Sequence, residues 1–159
     1  MKKEKIKELI EDPNLGMTLI VKTVARITIA LILLYGFYII IYGHLTPGGG
    51  FAGGVILAIA YTLMMLAFSR HIALVKLSDF WASIWDNIGM LAFIVIGFVG
   101  LGFGYFLFNF LSKGKPFSLI SAGIIPLLNL SIGIKIGAAL YAIFIGLSIY
   151  GRLVLEEEE

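Results

Sequence analysis

Four long apolar runs constrain this chain more than any other feature. They cover residues 23–42, 51–68, 88–111 and about 131–153, with Arg26 near the start of the first and Lys135 inside the last. A helix needs about 20 apolar residues to cross a hydrocarbon core of about 30 Å. All four runs meet or approach that length. Lipid leaves an open strand's backbone unsatisfied, so helices are expected. A transmembrane barrel would alternate polarity with period two, and these continuous runs do not. Composition agrees: 60% of residues are hydrophobic and 14% charged. The mean hydropathy is +1.01. A soluble domain is closer to half apolar and a quarter charged, and a core of 159 residues cannot hide this much apolar surface from water. The expectation is an all-α, polytopic membrane protein with four transmembrane helices.

The length suits one compact bundle. The domain reading is a cytoplasmic or interfacial segment 1–22, a four-helix membrane domain 23–155 and an acidic tail 156–159. Within the first segment, residues 5–11 read as a short amphipathic turn or helix at the membrane surface, ended by Pro13. The mixed-sign opening, Met1-Lys2-Lys3-Glu4-Lys5, is not that of a secretory signal. Residues 120–128 are too short to cross and are broken by Pro126 and Asn129. They read as an interfacial or re-entrant piece, or as the kinked first turns of the fourth helix.

Charge sets the orientation. Lys2, Lys3, Lys5, Lys7, Lys22, Arg26, Arg70, Lys76 and Arg152 fall on one side of a four-span topology; Lys113 and Lys115 fall on the other. Positive charge is retained in the cytoplasm, so both termini are expected there, in the cell membrane. The sequence has no cysteine, which excludes disulfides and thiolate metal centres. Two histidines without inward carboxylates do not make a metal site. No basic face with interleaved aromatics suggests nucleic acid. No nucleophile–base pair suggests an intramembrane enzyme, and no cofactor is expected.

The densest local signal joins the first two spans. Gly43-His44-Leu45-Thr46-Pro47-Gly48-Gly49-Gly50-Phe51-Ala52-Gly53-Gly54 places six glycines and a proline in 12 residues. Gly48, Gly50 and Gly53 literally match a dinucleotide fingerprint, but that fingerprint needs a preceding strand and a soluble βαβ unit. Glycine here instead permits a sharp turn and close helix approach.

Residues 44–54 and the apolar helix after them resemble the hallmark of the MnhB family, membrane subunits of Mrp-type multisubunit sodium/proton antiporters. Membrane-bound hydrogenases and related respiratory complexes carry a similar subunit. The later stretch from Pro126 to Lys135 resembles that family's lead into its last helix. The resemblance covers most of residues 35–150. It implies a four-helix subunit without an active site, working beside other membrane subunits in a complex that couples Na+ to H+ movement. The alternative is a self-contained small channel or transporter, which usually shows internal repeats or several intramembrane charges.

Lys135 is an ionisable group within a span, costly unless it snorkels or is paired. The resemblance favours a place in the ion path over snorkelling. No acidic partner is evident within the chain's spans apart from Asp86 near an end, so its expected partner is water, a backbone carbonyl or a carboxylate of another subunit. His44 carries an imidazole, a side chain that can pass a proton; it relays a proton or, the favoured role, bonds a backbone carbonyl. Asp86, beside the interfacial Trp81 and Trp85, reads first as a charge at a helix N-terminus and second as a polar contact to a partner. Pro47, Gly48, Gly49, Gly50, Phe51, Gly53 and Gly54 form the junction motif. Gly50 with Gly54, Gly100 with Gly104 and Gly133 with Gly137 are spaced for close helix packing.

Overall fold

The computed structural model describes residues 16–68, 78–111, 114–115, 117–118 and 121–157. Among these residues are four helices: α1 Leu19–Tyr42, α2 Gly50–Phe68, α3 Asp79–Leu101 and α4 Ile125–Glu157. No strand occurs among the described residues. All four helices are long and apolar enough to cross a membrane. The protein is therefore an all-α, multi-pass membrane protein. The amphipathic stretch 5–11, Arg70 and Lys76 lie outside the described residues.

The helices form a row rather than a closed bundle. α2 packs on α1 and α4, α4 packs on α2 and α3, and α1 touches α4 only lightly. α1 and α2 are antiparallel: the Met17 amide donates to the Ala67 carbonyl at 3.1 Å, and Gly36 lies against Leu57. α2 and α4 are parallel. Gly50 meets Asn129, Gly54 meets Gly133, and Tyr61 meets Tyr141 with ring centroids 5.4 Å apart. α3 runs antiparallel to α4, with Gly89 against Lys135.

Lipid tails are as apolar as leucine, so no hydrophobic force drives these helices together. Close packing of small residues does. One cluster joins Ala25, Ile29, Ala60, Ala67 and Phe68. A second joins Met65, Ala82, Tyr141 and Ile145. Alanine lets backbones approach, and the fully buried Tyr141 fills the space where α2, α3 and α4 converge.

The third helix corrects the expected span of 88–111. It starts at Asp79, with the Ser78 hydroxyl accepting from the Trp81 amide, and ends at Leu101. Residues 102–111 are as apolar as a span, but they turn back. Gly104 has φ +147° and Leu107 φ +64°, and the Leu107 amide reaches the Gly97 carbonyl at 3.3 Å. Asn109 ties the returning chain to the entry of α4: its Oδ1 accepts from the Ile124 amide at 3.1 Å. Gly100 and Gly104 therefore do not form a helix-packing face. Gly100 lies against the backbone of Leu107 and Phe108, and Gly104 is open, outside the helix.

The fourth helix begins six residues before the expected Ser131. Pro126 sits in its first turn, where the missing N–H costs nothing. Of the open readings for 120–128, Ile125 to Leu128 are the opening turn of this helix.

Candidate functional site

The helix starts decide how deep Lys135 lies. Starting from Ile125, it is ten residues in, or about 15 Å at about 1.5 Å per residue. The apolar part of α4 ends at Ser148, about 20 Å further on. Lys135 is therefore near the middle of the span, beyond easy snorkelling. Asp86, the eighth residue of α3, is about 10 Å from that helix's start, so it is not an N-terminal charge.

The two meet. Lys135 Nζ donates to Asp86 Oδ1 at 3.0 Å, an ion pair in which each side chain is 35% exposed within this chain. This corrects the expectation of water, a backbone carbonyl or another subunit's carboxylate as the partner of Lys135. It also replaces Asp86's expected role at a helix terminus. The reason is register. Gly89 follows Asp86 by one turn, and any side chain on it would stand 2.8 Å from the Ser131 carbonyl and the Lys135 amide. Only glycine lets α3 come this close to α4, and that approach sets Asp86 beside Lys135. Ser131, one turn before Lys135, is buried, and its hydroxyl returns to the Leu127 carbonyl at 3.0 Å. Beside the pair lies a cavity of about 200 Å³ lined by Gly89, Met90, Phe93, Ser131, Ile132 and Lys135.

The glycine junction is a second polar cluster, near the start of α4. Gly48 (φ +143°) and Gly49 (φ +93°) take conformations that side chains resist. They turn the chain directly into α2. Gly50, the first residue of α2, has its amide capped across the helix contact by Asn129 Oδ1 at 3.3 Å. Gly53 presses on Ile40 and the Gly36 carbonyl; Gly54 presses on Gly133, Ile136 and Gly137. Pro47 and Phe51 are exposed. His44 Nε2 lies 3.3 Å from the Ser118 carbonyl, so that nitrogen carries the hydrogen, and the ring fastens the junction to residue 118. His44 Nδ1 and Asn129 Nδ2 are buried without a hydrogen-bond partner among the described residues.

His44 and Lys135, both ion-path candidates from sequence, are not brought together. Asn129 lies at the junction, and Lys135 is six residues, or about 9 Å, further along α4. Two further residues emerge that no sequence pattern singled out for a role. Asn129 read only as a helix breaker, although an amide in an apolar run is itself a sign of an interhelical hydrogen bond. Lys22 counted only towards orientation, yet it is 2% exposed and engaged in an interaction. Among the described residues no cluster of three metal-ligating side chains occurs.

Residues 20–142 match the model of a domain related to the MnhB subunit of Na+/H+ antiporters. That is most of the chain. The chain belongs to the MnhB family. An uncharacterized protein of Methanocaldococcus jannaschii is 35% identical over 130 residues, covering 77% of this chain and 49% of that protein. The putative antiporter subunit mnhB2 of Staphylococcus haemolyticus is 46% identical over 52 residues, 33% of this chain and 37% of the relative. Among solved structures, a chain of the membrane-bound sulfane sulfur reductase, an archaeal respiratory membrane complex, superposes with a TM-score of 0.66 at 30% identity. It covers 89% of this chain and 65% of the other. The matched region thus spans less than half the length of these two sequence relatives.

In this MnhB-family chain, Gly49→Val puts a β-branched side chain at φ +93°, 3.4 Å from Asn129 Oδ1. Positive φ is unfavourable for such a residue by about 1–2 kcal/mol, and α2 loses its cap as well. The variant is expected to accumulate several-fold less in membranes on quantitative immunoblots. Wild-type levels would argue against the conformational role of Gly49.

Proposed function

We propose that this chain is a non-catalytic membrane subunit of a multisubunit cation/proton antiport module, and that the Asp86–Lys135 pair is its contribution to the ion path. The observation that carries the reading is that pair: opposite charges 3.0 Å apart near mid-span. Charges at such depth are expensive and mark ion and proton routes. A carboxylate held by a movable ammonium is a group whose availability to a passing cation depends on where the ammonium sits. The names of the relatives support the antiport class, and the solved respiratory complex supports the setting among other membrane subunits. Na+ and H+ are the proposed transported ions. The junction of His44, Gly48, Gly49 and Asn129 is assigned a positioning role, because His44 is committed to a carbonyl.

The rival is a self-contained channel or transporter. Purification from native membranes through a C-terminal tag separates the two. Further membrane subunits are expected in the eluate, with Na+-dependent proton movement only from liposomes that contain them. A chain that purifies alone and moves ions by itself would overturn the subunit reading.

Both termini are proposed to face the cytoplasm. Reporter fusions at residue 159 and within residues 43–49 are expected on opposite sides of the membrane, with the first inside. Reporters on the same side would sink that topology.

A further inference from the structure

α1 stands at the end of the helix row, with its outward side uncovered by the other described residues. Tyr35, Tyr38 and Tyr42 follow one another at spacings of three and four, so they share one face. They are 55%, 45% and 36% exposed. The rings of Tyr38 and Tyr42 stack, with centroids 4.8 Å apart and planes at 26°. None of the three hydroxyls makes a hydrogen bond among the described residues.

Depth makes this arrangement informative. Tyr42 ends α1 and suits the interfacial belt where tyrosine is common. Tyr35 lies seven residues, or about 10 Å, further in. Helical side chains lean towards the helix N-terminus, so the phenol of Tyr35 points away from that interface and deeper still. It cannot snorkel back to water. Acyl chains offer no acceptor, and a hydroxyl left without one in hydrocarbon is costly. An aqueous lumen does not fit either, because Leu31 and Leu34, one turn below Tyr35 and Tyr38, are 60% and 69% exposed on the adjoining surface.

We propose that Tyr35, Tyr38 and Tyr42 form the docking face for a membrane helix of another subunit, one that presents hydrogen-bond acceptors at successive depths. Suitable acceptors are amide or hydroxyl side chains, or carbonyls. The leucines below supply close apolar contact, and the phenols fix register, as interhelical hydrogen bonds do in lipid. The inference rests on the chain belonging to a multisubunit complex; it does not depend on the role of Asp86 and Lys135.

The test uses the intact complex in native membranes. A benzophenone amino acid in place of Tyr38 is irradiated there, and the adducts are identified by mass. The expected product is a covalent adduct with one membrane subunit. In parallel, the triple variant Tyr35→Phe, Tyr38→Phe and Tyr42→Phe keeps the rings and removes only the hydroxyls. Recovery of that same subunit in detergent is expected to fall about tenfold, the effect of three interhelical hydrogen bonds. Adducts with lipid alone, or undiminished recovery of the subunit from the triple variant, would overturn the docking face. Failure of any subunit to co-purify with the wild type would instead overturn the complex itself, so the two failures are distinguishable.

Discussion

Lys135→Ala is expected to lower the amount of assembled chain about tenfold, because it strands the Asp86 carboxylate inside the membrane. An uncompensated charge at mid-span costs about 2.5–3.5 kcal/mol on insertion scales, and each 1.4 kcal/mol is about tenfold in an equilibrium. The pair is a third exposed within this chain, so part of that cost is relieved by whatever lies alongside. Asp86→Ala is expected to do the same damage from the other side. Combining the two substitutions removes both charges, and a membrane helix with neither charge is not penalised. The double variant should therefore regain most of the lost assembly, since breaking a buried pair is harmful while replacing it whole is often nearly neutral. Quantitative immunoblots of the purified complex read all three. Single variants that assemble like the wild type would mean that the ion pair contributes nothing to holding α3 against α4.

A second large effect is expected at Gly54. A side chain there would stand 2.8 Å from the Gly133 carbonyl, 2.9 Å from Ile136 Cβ and 3.2 Å from the Gly137 amide. Two of these three neighbours are backbone, which cannot rotate away. Gly54→Val must push α2 off α4, and with it the contact between Gly50 and Asn129. Overpacking of this kind costs about 1–3 kcal/mol, and for a chain of this size each kcal/mol lowers Tm by about 2–4 °C. The thermal transition of the purified complex is expected about 5 °C or more below the wild type. Gly146 provides the comparison: it lies on α4 too, but nothing stands within 4 Å of a side chain placed there. Gly146→Ala should melt with the wild type. Equal melting of Gly54→Val and Gly146→Ala would rule out the close α2–α4 contact.

The four spans were legible because hydrocarbon imposes a simple rule on length and polarity, which α2 obeys almost to the residue and α1 at its C-terminal end, its start at Leu19 lying four residues before the expected 23. α3 was misplaced because hydropathy counts Phe103, Phe106 and Phe108 as if they continued a helix. It does not register that Gly102 and Gly104 turn the chain, or that Asp86 is tolerated in the span because a cation neutralises it. That cation is 49 residues away, and no local pattern links the two. Their meeting depends on the register of two antiparallel helices, fixed by the absence of a side chain at Gly89. The spacing of Gly100 and Gly104 resembled that of Gly133 and Gly137, yet only the latter pair lies on a helix throughout. Spacing alone does not distinguish a packing face from a turn. The role of Asn129 was hidden for a similar reason: its partner, the Gly50 amide, comes from a different helix.

If Asp86 and Lys135 serve ion movement as well as assembly, transport must depend on their charges even when the helices remain in place. The double variant Asp86→Asn with Lys135→Gln separates the two roles, because it removes both charges while keeping nearly the same shape and hydrogen-bonding capacity. The complex carrying it is purified, its subunit content is compared with the wild type, and Na+-dependent proton movement is followed in liposomes. A full set of subunits with the loss of nearly all transport is expected. Full assembly with transport at the wild-type rate would refute the ion-path role, leaving the pair as a structural clasp between α3 and α4.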